Sequence, residues 1–250
     1  MTTGSLFIVA TPIGNLSDIS PRTVNALQQA DYVLAEDTRR ILKILNHCGL
    51  SKKLFSYSEH SSTVKEDAVL AELLAGKSYA LVSDAGTPAV SDPGARLVQK
   101  DITQAITVVP ISGPSAVTTL MSVFGVPETF FHFWGFFPIK KKKQRQMVDY
   151  YSTIPGVHVF FESPFRILKT LEACFADRAD FHMVIGREMT KQFETFYRGT
   201  PAQVLEQLKA GVVKGEFCVG VVRELSSVVR RPSSEKNSFV DDGIRNTDDD

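Results

Sequence analysis

No stretch of the 250-residue chain approaches about 18 consecutive apolar residues, so no helix that spans a membrane is expected. The N-terminus has no basic region, and its apolar run from Leu6 to Ala10 is too short for a secretion signal. Cysteine is scarce: Cys48, Cys174 and Cys218 lie far apart, with no Cys-x-x-Cys pair. That excludes a disulfide framework and fits reduced core residues in a cytoplasmic protein. The five histidines, at positions 47, 60, 132, 158 and 182, include no close His-x-x-x-His pair, so no metal site is expected. Neither sign of charge dominates, with 28 Lys+Arg against 28 Asp+Glu, so no global field draws the chain to nucleic acid. Three nucleotide and hydrolase signatures are also missing. No Gly-x-Gly-x-x-Gly follows the first apolar run, no Gly-x-x-x-x-Gly-Lys-Ser/Thr occurs, and no Gly-x-Ser-x-Gly occurs. The dinucleotide fingerprint, the P-loop and the nucleophile elbow are thereby set aside.

What is present is an alternation of short apolar runs and helical stripes. Strands are expected at Leu6 to Ala10, Tyr32 to Ala35, Leu54 to Tyr57, Tyr79 to Val82 and Ile106 to Ile111. Between them, Ser20-Pro21 opens a helix with Val24, Leu27 and Ala30 on one face, Ile41, Ile44, Leu45 and Cys48 form another stripe, and Val69, Leu70, Leu73 and Leu74 a third. This order predicts an α/β fold with a mainly parallel, wound sheet over residues 1–115. The Gly- and Pro-punctuated aromatic segment from Gly125 to Phe137 reads as a boundary region. A second α/β unit over 116–225 is expected from strands at Val157 to Phe161, Met183 to Arg187 and Phe217 to Val222. Its helices are near Lys143 to Tyr151, Arg166 to Phe175 and Pro201 to Ala210. Residues 226–250 are polar and end in three aspartates, which reads as a disordered tail.

One stretch organises the rest: Leu81-Val-Ser-Asp-Ala-Gly-Thr-Pro-Ala-Val-Ser-Asp-Pro-Gly94. An apolar strand gives way to turn formers, among them Ser83, Asp84, Gly86, Pro88, Asp92 and Pro93. Proline fixes φ, glycine permits close approach, and Asp and Ser bond nearby amides. The result is a stiff loop at the carboxyl end of a strand, where open α/β sheets bind ligands.

The same loop belongs to a longer series. Ile8-Val-Ala-Thr-Pro-Ile-Gly-Asn-Leu16, Leu34-Ala-Glu-Asp-Thr-Arg39, the stretch just quoted, Gly113-Pro-Ser-Ala116, Gly135-Phe-Phe-Pro138, Glu162-Ser-Pro164, Arg187-Glu-Met-Thr-Lys191 and Lys214-Gly-Glu-Phe217 occur in this order. Together they resemble the ribosomal RNA small subunit methyltransferase I family, a branch of the tetrapyrrole methylase (class III) superfamily. The resemblance spans about Leu6 to Val222. It implies two α/β domains with S-adenosylmethionine in the cleft between them, and usually a homodimer. It also implies methyl transfer to the 2′-hydroxyl of a cytidine in the decoding region of 16S rRNA. Carried over by position, the cofactor contacts are Ala10, Pro12, Asp84, Gly86, Thr87, Pro88, Val90, Ser115 and Ala116. Phe165 stands where family members often carry histidine, and Ser112 where proline is frequent.

A ribose hydroxyl is a poor nucleophile until its proton leaves, so a base near the transferred methyl helps. Glu36, Asp37, Glu59, Glu188 and Lys191 are the candidates, each of which also suits an ordinary salt bridge or helix cap. Lys140, Lys141, Lys142, Lys143 and Arg145 form the strongest basic run, suited to RNA phosphates or to a solvated helix start. The aromatics Phe130, Phe131, Phe133, Trp134, Phe136 and Phe137 suit base stacking or, more commonly, a core between domains. Two competing functions are a tetrapyrrole methyltransferase acting on a small molecule and a non-catalytic ribosome-binding protein.

Overall fold

The computed structural model describes residues 3–127 and 130–223, so the tail expected over 226–250 lies outside the described residues. Among the described residues ten strands form two five-stranded sheets. The first contains β1 (Ser5–Val9), β2 (Tyr32–Ala35), β3 (Lys53–Ser56), β4 (Tyr79–Val82) and β5 (Thr107–Ile111), in the order β3-β2-β4-β1-β5. Every pairing in it is parallel.

Its helices follow from the sequence pattern. α1 (Pro21–Gln29), α2 (Thr38–His47) and α3 (Thr63–Leu74) start at Ser20, Asp37 and Ser62, whose side chains accept amides of the first turn. α4 (Ala95–Thr103) follows the organising loop. Successive residues of β4 face opposite ways. Ala80 and Val82 pack with Leu27 of α1 and Ile41, Ile44 and Leu45 of α2, while Tyr79 and Leu81 pack with Val69 and Leu73 of α3 and Leu97 of α4. A sheet covered on both faces explains why its strands read as continuous apolar runs.

The second sheet has the order β6-β7-β10-β8-β9. Its strands are β6 (Phe131–Phe136), β7 (Val157–Glu162), β8 (Phe181–Arg187), β9 (Thr195–Gly199) and β10 (Phe217–Arg223). β6 runs parallel to β7, and the other pairings are antiparallel. One face is covered by α6 (Lys141–Tyr151), α7 (Ile167–Cys174) and α8 (Pro201–Ala210), through Val148, Tyr151, Ile167, Leu171, Val204 and Leu208. α5 (Ala116–Ser122) covers the other face. There Gly220 leaves room for Phe124, since a Cβ at 220 would stand 2.4 Å from its ring. Ile13, from the loop after β1, joins Val117, Leu120, Met189 and Cys218 in this core, so a residue of the first half is packed into the second.

The segment from Gly125 to Phe137 is not simply a boundary. Its second part is the edge strand β6, with a register shift between Phe133 and Phe136 and Gly135 at φ +67°. Of its aromatics only Phe137 is fully buried, while Phe130, Phe131 and Phe136 are exposed. Among the described residues no helix is long and apolar enough to cross a membrane.

Candidate functional site

The carboxyl ends of β1 and β4 are stitched together. Thr11 and Gly86 exchange amide hydrogen bonds of 2.9 and 3.0 Å, the Thr11 hydroxyl donates to the Ser83 carbonyl, and the Ser83 hydroxyl donates to the Gly86 carbonyl. Gly86 adopts φ +84°, which a side chain resists. Beyond it the loop holds two non-glycine residues in the left-handed region, Ala89 at φ +64° and Ser91 at φ +62°. Such conformations cost on the order of 1 kcal/mol or more and gather at ligand sites. The loop also reaches across to the second sheet. A Cβ at Gly135 would stand 2.9 Å from the Ser91 hydroxyl oxygen.

Between the two sheets this loop walls a cavity of about 430 Å³. Asp84, Gly86, Thr87, Val90, Ser115 and Ala116, six of the nine positions expected to hold cofactor, line it. Ala10, Pro12 and Pro88 stand buried outside the lining, with Ala10 packed on Gly113. The second wall was not foreseen as cofactor-binding from sequence. It consists of Phe136, Phe161 to Pro164, Gly186, Met189 and Gly215 to Cys218, at the ends of four strands. The motifs Glu162-Ser-Pro164 and Lys214-Gly-Glu-Phe217 were the signal that could have found it.

The first wall is acidic. Asp84 accepts the Asp37 amide at 3.0 Å and faces Arg40 at 3.6 Å. Asp92 lines the cavity, and no hydrogen bond or ion pair among the described residues engages its carboxylate. Burial, and then the charges of Glu36 and Asp84, push its pKa up to about 6. Apolar surface from Ile13, Val117, Phe161 and Met189 faces these carboxylates. A ligand with a cationic centre and a flat apolar ring fits such a lining, and S-adenosylmethionine has both.

The five expected base candidates take different places. Asp37 caps α2 and is clamped by the Arg39 guanidinium at 2.8 and 3.0 Å, which holds its carboxyl down at about 2. Glu36 is exposed at the end of β2 and faces Asp92, and Glu59 is exposed on the loop after β3. Glu188 and Lys191 are bonded to each other at 3.0 Å, and Lys191 also bonds Glu216 at 2.8 Å. Burial opposes both charges. It is outweighed at Glu188 by the Glu216 amide and Lys191, and at Lys191 by Glu216 and Glu188, so each stays ionised. An ammonium held this way has no lone pair to accept a proton. Lys191 instead packs on Gly14, where a Cβ would meet its Cγ at 2.3 Å, and so braces the loop after β1 against the second half.

Lys140 caps α6, Lys141, Lys142 and Lys143 form its first turn and Arg145 follows; all are exposed, and no ion pair among the described residues engages them. Phe165 is 91% exposed and immediately follows the cavity-lining Pro164.

Residues 5–205 match the family described as Tetrapyrrole (Corrin/Porphyrin) Methylases. A ribosomal RNA small subunit methyltransferase I of Halalkalibacterium halodurans is 41% identical over 216 residues, 86% of this chain and 75% of that protein. The protein of the same name from Thermotoga maritima is 40% identical, over 86% of this chain and 97% of its own length. The chain belongs to the ribosomal RNA small subunit methyltransferase I family, within the tetrapyrrole methylases. The crystal structure of a diphthine synthase shares the fold of this family member, with a TM-score of 0.69 at 17% identity, covering 88% of this chain and 90% of the other. The expected fold class, two α/β units of the tetrapyrrole methylase type with the cavity between them, is borne out.

Proposed function

We propose that this protein is an S-adenosylmethionine-dependent methyltransferase that modifies the 2′-hydroxyl of a cytidine in the decoding region of 16S rRNA. The observation that carries the reading is the acid-rimmed, half-apolar cavity between the sheets, in a chain about 40% identical to proteins named for methylating small-subunit ribosomal RNA. S-adenosylmethionine, when bound, supplies a methyl group on a positively charged sulfur. The chain's own part is to hold that charge beside Asp84 and Asp92, to exclude water with Ile13, Phe161 and Met189, and to align a ribose with the methyl group. Asp84, Gly86, Thr87, Val90, Ser115 and Ala116 are the proposed cofactor wall, with Ala10, Pro12 and Pro88 supporting it from behind.

The RNA is proposed to lie over Lys140 to Lys143 and Arg145. Four lysines at a helix N-terminus oppose the helix dipole, and the first turn contains no acidic residue to offset them. A phosphate there is complementary both to the cations and to the free amides. This patch favours RNA over a tetrapyrrole as substrate. The division into units 1–115 and 116–225, a homodimeric assembly and a cytoplasmic location belong to the same proposal. The division is supported by α5 lying against β10, and the location by the few, unpaired cysteines.

Labelled methyl transfer to small ribosomal subunits lacking the modification, with the product nucleotide mapped, tests the reading. A single 2′-O-methylcytidine in the decoding region is expected. Transfer only to a tetrapyrrole, or none to RNA, would refute it.

A further inference from the structure

We infer that Phe165 is the surface on which the base of the target nucleotide stacks while its ribose enters the cavity. The inference rests on the reading of function above and adds a ring outside the aromatic set expected to meet bases.

Phe165 is 91% exposed, more than any other large apolar side chain among the described residues. Exposure of that degree leaves both faces of the ring open. Its backbone, by contrast, is fixed. Pro164 has a locked φ, and the Phe165 amide donates to the Ser163 hydroxyl at 3.3 Å. The amides of Arg166 and Ile167 donate to the Ser163 carbonyl at 3.0 and 2.9 Å. Ile167, two residues on, is fully buried at the start of α7. The Arg166 guanidinium donates to the Glu162 carboxylate and, at 3.0 Å, to the Phe137 carbonyl. A tight, tethered turn therefore holds an apolar ring out in water.

The same frame carries the basic run. Phe136 stands opposite Phe161 in register, the Phe137 amide donates to the Phe161 carbonyl at 2.9 Å, and Gln144 of α6 donates to the Pro138 carbonyl at 2.8 Å. Exposed Phe136, exposed Ile139, the lysines at 140–143 and Phe165 thus rise from segments tied to one another. Pro164 and Phe136 line the cavity, which puts Phe165 at its rim. Charge selects the occupant. An open ring beside a row of exposed cations, with no acidic residue in the first turn of α6, is complementary to a base joined to phosphates. A nucleotide whose 2′-hydroxyl reaches a methyl group inside the cavity has left its neighbours in the stack. A ring held at the rim replaces one of them. Phe165 is in this way a positioning residue, not a catalytic one.

The test is KM and kcat for methyl transfer to unmodified small subunits at saturating S-adenosylmethionine, for the wild type and for Phe165→Ala, Phe165→Leu, Phe165→Tyr and Phe165→Trp. Thermal melts, calorimetric cofactor affinity and molar mass by light scattering accompany each. Phe165→Ala is expected to raise KM for the subunit about 5- to 100-fold, the worth of one stacked base, with kcat and cofactor affinity within about threefold of wild type. Phe165→Tyr and Phe165→Trp are expected to restore KM to within about threefold, and Phe165→Leu to resemble Phe165→Ala. The slope of log 1/KM against log salt is expected to match wild type in every variant, because no phosphate contact is lost. Five outcomes overturn the inference alone: a folded Phe165→Ala with KM within threefold of wild type, a loss confined to kcat, full rescue by Leu, a loss accounted for by weaker cofactor binding, or a changed molar mass, which would give this face to a second copy of the chain. A wild type with no transfer to small subunits overturns the reading of function, and the inference with it.

Discussion

Gly135 is where the Ser91 side chain of the first half meets bare backbone of the second, and Gly135→Ala is a sharp test of that contact. The residue sits at φ +67° in the irregular part of β6. Placing an L side chain in the left-handed region costs roughly 1–2 kcal/mol. The new Cβ would also lie 2.9 Å from the Ser91 hydroxyl oxygen, the end of a short side chain on the strained loop. About 1 kcal/mol more is expected from that overlap. A chain of this size loses about 2–4 °C of Tm per kcal/mol, so Gly135→Ala should melt roughly 4 °C or more below wild type. Combined with Ser91→Ala, the backbone part of the cost remains and the contact part disappears. The same glycine substitution should therefore cost about 1 kcal/mol less in that background. Because Ser91 and Asp92 line the cavity, the single variant should also bind S-adenosylmethionine more weakly than the double variant. Melts and calorimetry on the four proteins of the cycle measure all of this. A Gly135→Ala protein melting within 1 °C of wild type, or an identical loss in both backgrounds, would refute the contact across the cleft.

Asp84→Ala should weaken S-adenosylmethionine binding by roughly 10- to 100-fold, the worth of one charge-assisted hydrogen bond of about 1.5–3 kcal/mol; unchanged calorimetric affinity in a folded protein would count against the acidic wall. Replacing Lys140, Lys141, Lys142 and Lys143 by Gln should leave cofactor affinity alone and flatten the plot of log RNA affinity against log salt by roughly 3 if all four meet phosphates; superimposable salt lines would remove the patch from the RNA path. Asp101 on α4 is fully buried with neither carboxylate oxygen bonded, and burial raises its pKa to about 6. A raised carboxyl costs stability above the native value, and the cost fades as pH falls toward the unfolded value of about 4. Asp101→Asn should thus raise Tm at pH 8 and lose that advantage near pH 4, and a pH-independent difference would contradict this assignment.

Much of the first half was legible in the sequence because a parallel sheet buried on both faces writes itself as uninterrupted apolar runs. β2 and β4 have the expected bounds, β1 and β3 lie one residue earlier than expected at both ends, and β5 starts one residue later. The Asp84 loop was legible for a related reason: Gly, Pro, Asp and Ser are costly elsewhere and gather where a backbone must turn tightly. Edge strands were harder. β6 has aromatic residues pointing both ways and a glycine at its irregularity, so neither alternation nor an apolar run marks it. β9 has only the short Thr-Phe-Tyr-Arg-Gly at a sheet edge. The second wall of the cavity was not read as a cofactor surface because its residues come from the ends of separate strands, and only the fold brings Phe136, Phe161, Gly186 and Phe217 together. Asp92 was visible as a turn residue. What distinguishes it, the absence of a partner and the closeness of Glu36 and Asp84, is a property of three dimensions.

The central position of β10 has a consequence for synthesis on the ribosome. A chain emerges from its N-terminus, and its domains fold as units as they appear. The first sheet has all its strands once residue 111 is out. The second cannot close until 217–223 arrives, because β10 separates β7 from β8 and is the partner of both. Until then two hydrophobic hairpin-sized fragments wait unpaired beside a finished neighbour. The cavity wall at Gly215 to Cys218 arrives with the same segment, so the nascent chain can hold cofactor only well after its first sheet is complete.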